Sequence, residues 1–323
     1  MKKSPLLLSA VSLLALTSCQ TGVKHNINEY VFSKTVEYVS NFKIMQLTDT
    51  HLGDMDELDT HYKFLDLLIT EANPNYIVVT GDLFTFSSKT NAMRFFNFLD
   101  SYNTPWTVVF GNHDEQCFFS VDWMTEQLNK FGGNCYFKDI QDDNVHGNCN
   151  FAVNIMQGTS IFEQLIFIDS NRYDFSGFKG YDVIKTNQVK WYGDLVDYTK
   201  AQNSGTTVES LMFYHIPVPE IDAAWENGTN KQGEKREASC PPNKNTGLFK
   251  EVVDKGSTKG MFFGHDHLND FDVDYQGVKF CYGLKSTDRI YCADDMLGYK
   301  LITLKDDHSF DVTSVFHTYK EVM

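Results

Sequence analysis

The chain has 323 residues, 42% of them apolar and 22% charged, which is enough apolar content to build a sizeable core and too much for wholesale disorder. Its 21 glycines and 7 prolines follow no fixed period, which excludes collagen-like and solenoid architectures. A formal charge of −15 repels phosphate at long range, so no nucleic-acid binding is expected, and any phosphate the chain handles needs a local source of positive charge.

In chain order, Lys2 and Lys3 precede an apolar run over 6–16 that is too short to span a bilayer, and Leu16-Thr17-Ser18-Cys19 follows. These four residues resemble the bacterial lipobox. The expectation is a lipoprotein signal peptide over 1–18, lipidation at Cys19 and a tether over 19–36, followed by one domain over 37–323. The localisation implied is exported and lipid-anchored, on the cell surface or the periplasmic face of a membrane. Six further cysteines remain, and no spacing selects a pairing. Cys135 and Cys149 flank a loop-like stretch and are the pair to test first, against the alternative of free buried thiols.

The body shows short apolar runs ending in polar punctuation, separated by helical patterns. A strand over 42–47 runs into Asp49-Thr50-His51, and 61–71 has helical spacing. A strand over 76–80 ends in Gly81-Asp82, and 91–99 is helical. A strand over 106–110 ends in Gly111-Asn112-His113-Asp114, with a helix over 121–131. Strands over 151–156 and 164–168 precede a helix over 186–198. A strand over 211–214 ends in His215. A helix over 248–254 leads to a strand over 260–263 that ends in Gly264-His265-Asp266-His267. Short strands over 271–275, 278–281, 299–304 and 310–316 follow. Strand–helix alternation followed mostly by strands argues for an α/β domain with a large central sheet. The stretch 233–245 reads as a loop.

Five of these strands end in Asp, His or Asn. Ligands gather beyond the carboxyl ends of strands in α/β sheets, so these loops converge on one rim. Each side chain there is a donor for a hard or borderline metal ion. Singly, each motif reads as a turn or a satisfied histidine; their joint occurrence in order carries the reading.

That order resembles the calcineurin-like metallophosphoesterases, over nearly the whole body of the chain. The segments 168–192, 214–220, 262–271 and 278–284 are similar to a short, purple-acid-phosphatase-like group within them. The resemblance implies a four-layer αββα sandwich of two mixed β-sheets flanked by helices. It implies two divalent ions (Mn, Fe, Zn or Co): Asp49, His51 and His267 on one, Asn112, His215 and His265 on the other, and Asp82 on both. It places His113 over the substrate phosphate, oriented by Asp114. One departure stands out. The tyrosine that colours true purple acid phosphatases is Thr85 here, and their glycine is His51, so no tyrosinate–ferric colour is expected.

Two ions about 3.5–4 Å apart neutralise phosphate oxygens and generate hydroxide near neutral pH. The reaction expected is attack of a metal-bound hydroxide on a small phosphorylated substrate, with His113 assisting the leaving group. Phosphomonoester hydrolysis is the leading reading. The alternatives are a phosphodiesterase acting on cyclic nucleotides or other phosphodiesters, and a catalytically silent surface binding lipoprotein. Glu220, Glu234 and Arg236 read as solvated loop charges near the site, and Asn269 and Asp270 as candidate supports for the ligands.

Overall fold

The computed structural model describes residues 34–54, 58–140, 142–174 and 180–323. The expected leader, Cys19 and the tether up to residue 33 lie outside the described residues. Two mixed sheets carry the chain. In the smaller, β2 (Phe42–Leu47), β3 (Tyr76–Thr80) and β4 (Trp106–Val109) run parallel, and β12 (Leu297–Leu304) and β13 (Phe310–His317) extend it antiparallel. The larger has eight strands. At its centre β6 (Ser160–Phe167), β7 (Ser210–Phe213), β9 (Thr258–Phe263) and β11 (Val278–Tyr282) lie side by side and parallel. One edge is β5 (Phe151–Gln157) and then β1 (Thr35–Glu37); the other is β10 (Asp272–Tyr275) and then β8 (Thr229–Gln232).

Residue alternation explains how the sheets stack. Along β7 and its continuation, Leu211 and Phe213 enter one apolar cluster while Met212 and Tyr214 enter another. In β9, Phe262 joins the first and Met261 and Phe263 the second. Period 2 therefore buries both faces of the large sheet, which is why these strands read as unbroken apolar runs. The first cluster lies between the sheets and continues to α1 (Leu58–Ala72), α2 (Lys89–Asp100) and α3 (Val121–Lys130). The second lies under α4 (Thr186–Gln202), α5 (Ile221–Asn227) and α6 (Leu248–Lys255). The result is the four-layer αββα sandwich, with helices outside both sheets.

Most expected elements are present, with ends displaced by a few residues. Three were not expected. The edge strand β1 occupies 35–37, part of which was assigned to the tether; its three residues are too short to show alternation. The helix α5 buries only Ile221 and Ala224, and the wholly exposed β8 is Thr-Asn-Lys-Gln, so neither carries a periodic apolar signal. Of the two readings of Cys135 and Cys149, the structure gives the free buried thiols; Cys281 is also free and buried, Cys117 and Cys292 are free and partly exposed, and Cys240 is free and exposed. Cys135 faces the Leu128 carbonyl at 3.9 Å, inside the inter-sheet cluster.

Candidate dimetal centre

The ends of β2, β3, β4, β7 and β9 meet at one rim. Asp49, His51, Asp82 and His267 bring one ligand atom each to within 4.8 Å of one another, and so do Asp82, His215 and His265. All six are buried, and Asp82 belongs to both groups. Asn112, also buried, is the seventh expected ligand, and its side-chain oxygen makes no hydrogen bond. His113 is half-buried beside them, with its ring 5.0 Å from that of His51.

The backbone has been bent to achieve this. Asp49 (φ 54°), His51 (45°), Asp82 (50°) and His265 (82°) are all left-handed, a region that residues with a Cβ seldom occupy. Four such residues at one place mark a site held by the surrounding fold. Two glycines permit the close packing. A Cβ on Gly81 would lie 2.6 Å from Nδ1 of His215, and one on Gly264 would lie 2.0 Å from Oγ1 of Thr48 and 2.4 Å from Oδ2 of Asp49.

Hydrogen bonds then fix the donor atoms. His215 Nδ1–H donates to the Thr80 carbonyl (2.7 Å), and His267 Nδ1–H donates to the Tyr291 carbonyl (2.8 Å). Both rings thus turn Nε2 inward. Nδ1 of His51 lies 2.9 Å from the Thr85 hydroxyl, and its Nε2 lies 3.0 Å from Nε2 of His267. Thr48 Oγ1–H and the His265 backbone N–H donate to Oδ2 of Asp49, leaving Oδ1 toward the cluster. Asn112 Nδ2 donates to the Tyr173 hydroxyl (3.0 Å), which turns its carbonyl oxygen inward. Lys285 is buried and donates from Nζ to the Asp49 carbonyl (2.7 Å).

The electrostatics show what the cluster lacks. Burial pushes the Asp49 carboxyl up, but the facing histidines and Lys285 overcome it and hold it well below the ordinary range. Burial opposes a charge on His215, yet Asp82, 3.2 Å away, overcomes it and pushes the imidazole up to about 10. Burial and the neighbouring His215 push His265 down to about 3. Burial pushes the Lys285 amine down to about 8, against the pull of Asp49 and Asp82. A proton on His215 is therefore the cation this carboxylate cluster draws in. Oδ1 of Asp49, Oδ1 of Asn112 and both ring nitrogens of His265 are buried and make no hydrogen bond. The acceptors among these orphaned atoms are costly unless something positive meets them. The donor set of carboxylate, imidazole and amide oxygen fits two divalent ions sharing Asp82.

The sequence profile of the calcineurin-like phosphoesterases matches residues 42–269. The chain belongs to that family. With that membership and a phosphatase among its relatives, the chain is a phosphate ester hydrolase. It is 29% identical over 280 residues to an Arabidopsis thaliana protein named probable inactive purple acid phosphatase 14, covering 75% of this chain and 69% of that one. It is 28% identical over 279 residues to phosphatase DCR2 of Saccharomyces cerevisiae, covering 75% of this chain and 47% of that one. A solved dimetal phosphatase from Danio rerio shares the fold, with a TM-score of 0.55 at 12% identity, over 87% of this chain and 100% of that one.

One expected role within this family member is corrected. Asp114 does not orient His113. Its two carboxylate oxygens accept from the backbone N–H groups of Phe84 (3.0 Å) and Gly111 (2.8 Å). Burial and the charge of Asp82 push its pKa up to about 8. It braces the loops after β3 and β4 instead. The partner of the His113 ring is Gln116, whose amide oxygen lies 2.8 Å from Nδ1, and the His113 backbone N–H donates to Oδ1 of Asp82 (2.7 Å). Gln116 lies one turn of 3₁₀ helix from His113, a spacing that places both on one face, so sequence spacing could have found it. Asn269 and Asp270 do not support the ligands. They accept from the backbone N–H groups of Glu237 and Glu234. Glu234 and Arg236 pair with each other and, through Arg236, with Asp295; Glu220 accepts from Asn245. Thr48, Thr85, Tyr173, Lys285 and Tyr291 are the supports that sequence reasoning did not assign. Thr85 is the departure noted above, and the structure gives it a use as the partner of His51. A lone buried lysine such as Lys285 leaves no pattern to read.

Proposed function

We propose that the protein is a dinuclear-metal-dependent phosphomonoesterase acting outside the cytoplasm. The observation that carries this reading is the pair of buried ligand groups sharing Asp82. Asp49, His51 and His267 would hold one ion, Asn112, His215 and His265 the other, and Asp82 would be shared between them. When bound, two divalent ions neutralise phosphate oxygens and draw a nucleophile from water at neutral pH. That also answers the charge problem, since a cationic pocket then sits on an acidic chain.

The remaining chemistry falls to the side chains. An amide oxygen only accepts, so Gln116 keeps the proton of His113 on Nδ1 and turns Nε2 outward. Protonated there as well, His113 gives a proton from Nε2 to the departing alkoxide, so the leaving group departs as an alcohol. The bond from the His113 backbone N–H to Asp82 fixes this histidine to the shared ligand. The relative from Arabidopsis thaliana is named inactive, yet every ligand position in this chain holds a competent donor, which favours turnover.

The location rests on the N-terminal sequence: two lysines, an apolar run and Leu16-Thr17-Ser18-Cys19. In this reading 1–18 is removed, Cys19 carries lipid, and one domain follows a short tether. The test strips metal from the protein, returns Mn, Zn or Fe, and compares a nitrophenyl phosphate monoester with the bis-ester. Metal-dependent cleavage of the monoester, lost in His113→Ala, is the expected result. Preference for the bis-ester overturns the monoesterase reading. A lipid-labelling experiment on Cys19→Ala decides the anchor.

A further inference from the structure

Eight large apolar side chains are exposed among the described residues, and four of them belong to the loops that hold the centre's imidazoles. Phe86 (61% exposed) follows Thr85, the partner of His51. Phe118 (71%) lies two residues past Gln116, the partner of His113. Ile290 (49%) precedes Tyr291 (45%), whose carbonyl accepts from His267 and whose ring stacks on that imidazole at 4.2 Å. The loops are tied together: the Phe118 backbone N–H donates to the Ser87 carbonyl (3.0 Å), and the His51 ring lies within 5.0 Å of both His113 and His267.

Two of the four are also bent. Phe86 (φ 52°) and Ile290 (φ 67°) occupy the left-handed region, where a bulky or β-branched residue is an outlier. Single exposed apolar residues are ordinary. Apolar residues concentrated on a site's own loops, two of them in strained backbone, mark a binding surface. Carboxylates outnumber cations nearby: Asp54, which accepts from Ser88, Glu237, which faces the Tyr291 hydroxyl, and Asp288 beside His61, against Lys89 and Arg289 on the same loops. They disfavour a second phosphate or an anionic membrane and are neutral toward an uncharged organic group.

We propose that Phe86, Phe118, Ile290 and Tyr291 form an apolar rim that binds the leaving group, and that the preferred substrate is a phosphomonoester of an uncharged aromatic or bulky apolar alcohol. This rests on the phosphomonoesterase reading above. Phe118 lies on the loop of His113, the residue that protonates that alcohol as it leaves.

The test compares 2-naphthyl phosphate with glycerol 2-phosphate on the metal-loaded full chain, and measures 2-naphthol binding by titration calorimetry. The variants are Phe86→Asn, which suits the left-handed backbone, Phe118→Ser, and the two together. The ratio of kcat/KM for the naphthyl over the glycerol ester falls about tenfold in the double variant, through KM of the naphthyl ester, and naphthol binding weakens in parallel. An unchanged ratio with unchanged naphthol binding overturns the proposal. If the parent cleaves neither ester, the phosphomonoesterase reading fails by itself, and naphthol binding alone decides the rim: weakened in the variants it stands, unchanged it falls. Loss of sedimentation with phosphatidylcholine vesicles, with naphthol binding intact, assigns the rim to a membrane and overturns it.

Discussion

The two halves of the centre are built differently. In the half made by Asp49, His51 and His267, every side chain is held from behind: by Thr48, by Thr85 and by the Tyr291 carbonyl. In the half made by Asn112, His215 and His265, the Tyr173 hydroxyl holds Asn112 and the Thr80 carbonyl holds His215, but neither ring nitrogen of His265 makes a hydrogen bond. The Tyr181 ring meets it at 4.4 Å and the His215 ring at 5.2 Å, both roughly perpendicular, and neither fixes a ring nitrogen. Braced ligands lose less freedom when an ion arrives. The first half should therefore be the tighter site, with metal entering in two steps.

The largest disturbance erases the comparison. Asp82→Ala removes the one ligand common to both halves, so metal content by mass spectrometry falls from two ions toward none, and activity falls to background. Two ions retained with full activity would refute the shared-ligand assignment. His113→Ala leaves both halves standing: metal content stays at two while kcat drops about 10²–10⁴-fold, measured on the monoester. Thr85→Val and Tyr173→Phe separate the halves. The first should weaken one ion, and the second the other, each about 10-fold or more, read as displaced steps in a metal titration. If both variants shift the same step, the halves are not independent.

The smallest effect lies outside both halves and serves as a control. Burial, reinforced by Glu209, pushes the Glu163 carboxyl well above its usual 4.5, and its Oε2 is unpaired. A carboxyl raised in the folded state is harmless where it is protonated in both states, below about pH 4.5, and costs stability as pH rises above that. Glu163→Gln should therefore match the parent in acid and exceed it by about 1 kcal/mol at neutral pH, without moving either metal step. A denaturant series at the two pH values checks it.

How much of this could be read beforehand follows the same division. The ligands were legible because each ends a buried parallel strand: apolar runs such as 76–80 and 260–263 announce the strand, and the polar residue after it announces the rim. The braces were not, because they act through backbone carbonyls, as Thr80 and Tyr291 do, or arrive from distant segments, as Lys285 does. Asp114 misled for a related reason. Adjacency to His113 suggested a partner, but the 3₁₀ turn points its carboxylate back at Gly111 and Phe84, and brings Gln116 round instead. The edge strands β1 and β8 were silent because an edge needs no apolar alternation.

The left-handed backbone at Asp49, His51, Asp82 and His265 has a consequence for the order of events. An unfolded chain visits that basin rarely, and each visit costs about 1–2 kcal/mol. Four residues spread over more than two hundred positions reach it together only once both sheets have closed around them. The centre thus depends on both sheets holding their places. A slight loosening of the sheets would release metal while the strands are still intact, which makes retained metal a finer gauge of the fold than its secondary structure.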